Sequence, residues 1–206
     1  MKGNIYHITN RGVEKRKIFL NNEYYFRFIN NLYDFNNIDQ TPMSYKDRRI
    51  CNLAMRKPSE GLVDIISVCL MPNHYHFLVQ QLTETELSKW LRKIFVGYSQ
   101  AINKQQNRSG TLFEGRPKHI SIDKEEYLDH LMWYIHTNPV SAGLISKPER
   151  WKFSNYQECI GKRDGIMVDK NFINERYGSF YQYETFINEY ECNESLENKM
   201  GKYLFD

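Results

Sequence analysis

Two apolar, β-rich runs, VDIISVCL and HYHFLVQ, flank Met71-Pro72-Asn73 in the middle of the chain. Pro beside Asn reads as a turn, so the two runs are expected to form a hairpin. Upstream, NIYHITNRG alternates apolar and polar residues and ends in turn residues, the pattern of a half-buried strand. NNEYYFRFINNLYDFNN then opens on Asn at an N-cap and spaces Tyr25, Phe28, Ile29 and Leu32 along one helical face. Downstream, TETELSKWLRKIFVGYSQAINKQQ begins with a capping-box pattern, Thr83 and Glu86, and sets Leu87, Leu91, Ile94, Tyr98 and Ile102 at helical spacing. A strand over 119–122 follows a Gly-containing loop. A helix over 123–138 then has Asp123 as N-cap and ends before Pro139, which disfavours helix at the residue preceding it.

The order strand, helix, strand, strand, helix, strand is the split-βαβ pattern, so the fold expected is α+β, a ferredoxin-like sheet with extra helices and a helical C-terminal extension. Residues 1–156 form the expected domain. Within it, 38–60 is a polar, basic insertion, and 157–206 is an acidic, mainly helical extension packed on the same domain. A chain of 206 residues is long enough for one real core and short for two. No apolar run reaches the roughly 18 residues of a membrane span, and the expectation is a cytoplasmic protein without membrane contact. Four cysteines without C-x-x-C spacing suggest free thiols, with Cys69 in the core.

Charge is distributed unevenly. Residues 89–118 carry seven Lys or Arg against Glu114 alone, residues 1–20 carry five against Glu14 alone, and the tail from Gly165 carries four bases and eight acids. This asymmetry points to a polyanion-binding front and a solvated tail. Phosphate contacts are assigned to Lys89, Arg92, Lys93 and Lys104 along the long helix, and to Arg11, Arg16, Arg116 and Lys118 in the loops. In TNRGVEKR, Asn10 and Arg11 have the chemistry to read base edges, and Gly12 permits close backbone approach.

His74 and His76 interrupt an otherwise apolar strand. Residues i and i+2 share a face, so both imidazoles project one way while Tyr75, Phe77 and Val79 project into the core. Two such imidazoles can reach one divalent ion, though each could instead simply hydrogen-bond a neighbour. The helix 123–138 offers candidates for a third donor: Tyr134 and Asn138 lie four apart on one face, with His130 and Tyr127 on roughly the same stripe. A carboxamide oxygen beside two imidazoles suits Mg²⁺ or Mn²⁺ better than structural zinc.

YHITNRGV, MPNHYHFLV, YIHTNPVSAGLI and WKFSNY, in that order, resemble the blocks of the single-tyrosine HUH transposases, specifically the REP-associated tyrosine transposases. The resemblance spans residues 6 to about 156. It implies a metal-dependent DNA strand transferase and endonuclease that cuts and rejoins single-stranded or hairpin DNA. By position, His74 and His76 match the H-x-H metal ligands, Tyr134 the nucleophile and Asn138 the residue completing the metal site. The middle H-x-H position is Tyr75 here, and the 38–60 insertion and acidic tail match no family block. Monomer and homodimer both stay open.

Two rival readings are carried alongside. One is a binding module that holds hairpin DNA or RNA without cutting it. The other is a two-histidine phosphoesterase, because His7-Ile8-Thr9 and His119-Ile120-Ser121 are both H-x-[S/T].

Overall fold

The alternating first segment is β1 (Ile5–Arg11), and the hairpin is β2 (Val63–Leu70) and β3 (His74–Gln81). The computed structural model describes residues 3–36, 61–84, 87–165, 170–191 and 201, so the insertion expected at 38–60 lies outside the described residues. With β4 (Lys118–Ile122) the strands form one antiparallel sheet in the order β2-β3-β1-β4. This is the ferredoxin-like order that the element sequence implied.

The two faces of the sheet carry different layers. Ile8, Tyr75, Phe77 and Val79 meet Phe28, Ile29 and Leu32 of α1 (Asn22–Asp34) and Trp90, Ile94 and Tyr98 of α2 (Leu87–Gln105). Asn21 caps α1, its side chain accepting from the backbone N–H groups of Glu23 and Tyr24. The capping box expected at the start of α2 depends on Glu86, outside the described residues. On the opposite face, Ile66, Cys69 and Leu78 meet Leu131, Met132 and Ile135 of α3 (Glu125–Ser141). The same layer continues through α4 (Tyr156–Cys159), α5 (Lys170–Tyr177) and α6 (Phe180–Glu189), which add Tyr156, Ile173, Tyr183 and Ile187. The helices beyond the ferredoxin-like set are therefore α3 to α6, of which α3 packs on β2, β3 and β4. Cys69 and Cys159 are buried free thiols, as expected for Cys69.

Both ends of α3 differ from expectation. The cap residue is Lys124 rather than Asp123 and makes no side-chain cap bond, while Glu125 and Glu126 sit in the first turn near the positive end of the helix dipole. The helix also runs through Pro139 to Ser141. It ends at Gly143, whose φ of 67° is the left-handed conformation glycine adopts freely. The Gly143 N–H donates to Val140 O at 2.9 Å and the Leu144 N–H to Pro139 O at 3.0 Å, the paired bonds of a Schellman ending. Those bonds extend the ordered turn past the proline. Pro139 removes one donor, and burial of Asn138 and Pro139 against the core holds the helix where local preference alone would stop it.

The outer edge of β2 is covered by the segment after α3. Leu70 N–H donates to Phe153 O at 3.0 Å and Asn155 N–H to Val68 O at 3.1 Å. The Asn155 side chain accepts from Val68 N–H at 2.8 Å and donates to Ile66 O at 3.2 Å, straddling the register shift between Ile65 and Ser67. Asn155 Oδ1 also lies 2.9 Å from His136 Nε2; that oxygen only accepts, so Nε2 carries the hydrogen and Nδ1 accepts from the Tyr183 hydroxyl 2.6 Å away. One buried asparagine thus joins β2, α3 and, through His136, α6. Asn155→Ala strands backbone groups and an imidazole together and is expected to cost about 3 kcal/mol. Calorimetry should show that as a Tm lower by about 6–12 °C.

Candidate active site

His74 opens β3 and His76 follows two residues later, so both leave the sheet on the face covered by α3. Their rings are 5.1 Å apart and nearly perpendicular. Tyr134, two turns into α3, meets His76 edge-on with ring centroids 5.3 Å apart. Strand and helix are far apart in sequence, and the packing of α3 on β2 and β3 brings these groups together. Asn138 is 4 % exposed, one turn beyond Tyr134, and its Oδ1 makes no hydrogen bond among the described residues. A buried carbonyl oxygen without a donor costs free energy, which makes it a ready ligand for a cation.

Each histidine is oriented from behind. Asn73 Oδ1 lies 2.8 Å from His74 Nδ1. If that oxygen accepts, Nδ1 carries the hydrogen and Nε2 keeps its lone pair. His7 Nε2 lies 3.0 Å from His76 Nδ1 across the β1–β3 ladder. Burial holds His7 at a pKa of about 3, and burial with the neighbouring His7 and His74 pushes His76 well below the imidazole range. Both rings are therefore neutral at physiological pH, the form that ligates metal.

Among the described residues no group of three or more His, Cys, Asp or Glu side chains is placed to hold a metal ion. The groups on offer are the two neighbouring imidazoles and the buried Asn138 carboxamide, one turn beyond Tyr134 on the helix that meets His76. That set fits a divalent cation which keeps water or substrate oxygens in its remaining positions, as Mg²⁺ and Mn²⁺ do.

The residues assigned to DNA divide between the two sides of the sheet. Arg11 pairs with His74 in the β1–β3 register and Lys118 with Thr9 in the β1–β4 register, which sets both on the histidine face. Arg116 is exposed in the adjoining loop. Arg11 also forms an ion pair with Glu114, whose carboxyl is held below its usual pKa chiefly by that hydrogen bond. Arg16 is exposed, with Nε bonded to Val13 O. Lys89, Arg92, Lys93 and Lys104 ride on α2, which packs on the other face, so the structure does not gather them around the histidines.

Asn10 and Gly12 are used internally. Asn10 is 3 % exposed, its amide donating to Gly115 O at 3.2 Å and its Oδ1 accepting from Arg11 N–H. These bonds brace the loop carrying Arg116. At Gly12 a Cβ would overlap the Arg16 carbonyl oxygen, so the close approach it permits is that of its own chain. The apolar–polar alternation that located β1 could not show which polar residues face inward.

The phosphoesterase reading does not survive the register. Ile8 pairs with His119 and His7 with Ile120, so His7 and His119 project from opposite faces of the sheet and share no pocket.

The arrangement is a ferredoxin-like sheet whose H-x-H pair meets a tyrosine from the helix that covers that face, with an asparagine one turn further along the same helix. Comparison with known proteins agrees: residues 44–138, which hold both histidines, Tyr134 and Asn138, match the family described as "Transposase IS200 like". The fold is similar to a solved structure of a REP-associated tyrosine transposase bound to a REP hairpin, with TM-score 0.57 and 18 % identity over 82 % of this chain and 90 % of that one. No curated protein matches the sequence. Both findings agree with the resemblance read from the four sequence blocks: the family match lies within the span of those blocks, and the solved structure shares the fold. Among the described residues no helix is long and apolar enough to cross a membrane.

Proposed function

We propose that this protein cuts and rejoins single-stranded DNA at hairpin-forming repeats, in a metal-dependent reaction through a 5′-phosphotyrosine at Tyr134. The observation that carries the reading is the convergence of Tyr134 on His76, beside His74 and one turn from the unbonded Asn138 oxygen. His74 Nε2, His76 Nε2 and Asn138 Oδ1 would hold the cation. A divalent ion bound there supplies Lewis-acid stabilisation of charge developing on the scissile phosphate.

The chain's own groups perform the rest. The Tyr134 oxygen attacks phosphorus, forming the O–P bond as the bond from phosphorus to the 3′-oxygen breaks; the phenolic proton leaves to solvent and the departing 3′-oxygen gains one. Phenol and alcohol exchange places on the same phosphodiester, so the bond energy is conserved and a second 3′-hydroxyl can reverse the step without ATP. Water as nucleophile would dissipate it. Burial of Tyr134 and its edge contact with the His76 ring hold the phenol in place before substrate arrives.

Incubating the protein with end-labelled hairpin oligonucleotides and Mg²⁺ or Mn²⁺, followed by denaturing electrophoresis, tests this directly. A metal-dependent protein–DNA band lost on chelation supports it; hairpin binding with no band on any substrate points to the binding module. Lys118 stands on the histidine side of the sheet and Arg116 is exposed in the loop leading into it; both are assigned to phosphates. Replacing both with alanine should make the slope of log K against log salt shallower by about 1.4 for a single strand. Fluorescence anisotropy over a salt series measures it.

A further inference from the structure

We infer that His7 is a positioning residue for the metal site, holding His76 in the one tautomer that can ligate; the inference rests on the proposed metal-dependent function. His7 is fully buried and touches no solvent, so it has no route to substrate. It stands on β1 opposite Leu78, one step along the ladder from the Thr9–His76 pair, and so shares the face of His76. The two rings are parallel within 5° with centroids 5.2 Å apart, while His7 Nε2 and His76 Nδ1 are 3.0 Å apart. Centroids separated by about one ring diameter more than the bonded nitrogens mean rings lying edge to edge, an in-plane hydrogen bond rather than face stacking.

The direction of that bond decides whether His76 can bind a cation. Nδ1 faces His7, so ligation must use Nε2. A neutral imidazole with its lone pair on Nε2 carries its hydrogen on Nδ1, which then donates to His7 Nε2. His7 in turn must carry its hydrogen on Nδ1. The opposite arrangement, His7 Nε2 donating, puts hydrogen on His76 Nε2 and blocks the ligand. Ligating histidines usually donate to a carboxylate or a backbone carbonyl. Here the acceptor is a neutral imidazole, which adds no negative charge behind the ligand and leaves the bound cation a stronger Lewis acid. The H-x-T pattern on β1 thereby acquires a role without a second H-x-[S/T] partner.

Mn²⁺ affinity of the DNA-free protein, measured by calorimetry, is the test. His7→Phe keeps a ring but cannot accept, and is expected to weaken Mn²⁺ binding by about 10–100-fold. His7→Gln restores an acceptor near the Nε2 position and should recover most of the affinity. His76→Ala serves as the reference for loss of the ligand itself. Wild-type affinity in folded His7→Phe overturns the inference, and failure of wild type to bind Mn²⁺, or undiminished binding by His76→Ala, overturns the metal site beneath it. Should His7→Phe not fold, ¹⁵N spectra of the wild-type imidazoles decide: hydrogen on His76 Nδ1 and His7 Nδ1 with Mg²⁺ present supports the assignment, and hydrogen on His76 Nε2 overturns it.

Discussion

Tyr134→Phe is expected to abolish the covalent protein–DNA adduct and to lower cleavage by on the order of 10⁴-fold or more, the scale seen when a nucleophile is removed from an otherwise intact site. The substitution deletes one oxygen and keeps the ring, so the edge contact with His76 and the packing of α3 both persist. Tm and hairpin affinity should therefore stay close to wild type, and anisotropy with the same labelled oligonucleotide measures the latter. That pairing separates chemistry from binding. An adduct of undiminished yield in Tyr134→Phe would mean that another side chain attacks phosphorus, and fourteen other tyrosines are available to search, since the chain has 15.

His74→Ala is the second large effect. His74 is half-buried at the mouth of β3, so its removal opens little core and the fold is expected to stand. What it loses is one of two imidazoles in a site whose remaining donor is a neutral amide. Mn²⁺ affinity and metal-dependent cleavage should both fall by on the order of 10²–10³-fold, with activity partly recovered at high metal concentration because the deficit lies in occupancy. Titrating Mn²⁺ against adduct yield distinguishes this from loss of the nucleophile, where no concentration helps. Cleavage at the wild-type level without His74 would show that the cation, if needed at all, is held elsewhere.

Much of this molecule is legible in one dimension. Alternation located β1, though it implied a half-buried strand and the structure buries His7 to Asn10 on both faces; the Pro-Asn turn joined β2 to β3, and period-two geometry alone required His74 and His76 to share a face. Helical spacing likewise put Tyr134 and Asn138 on one stripe. These are short-range properties, fixed by the repeat of the backbone, and they hold wherever the element is placed.

Local reading failed where partners from distant segments outweigh propensity. Pro139 marked a helix end by its own sterics, yet core packing and the bonds before Gly143 carry the helix past it. Asn10 has base-edge chemistry, and nothing local showed that its amide would donate to Gly115 O from another loop. The basic stripe of α2 was assigned to DNA from charge alone, and only the choice of sheet face shows it turned from the histidines. Asn155 gave no sign of joining three elements, since its partners lie 19 to 89 residues away.

The amino-acid order by itself determined the element sequence, the histidine pair's common face and the spacing of phenol to amide along α3, because each depends on backbone periodicity within a single element. Which side of the sheet α3 covers, and so whether Tyr134 meets His76 and His7 stands behind it, was decided only by tertiary packing. A strand has two faces of equal geometry, and burial of Leu131, Met132 and Ile135 against Ile66, Cys69 and Leu78 selects between them.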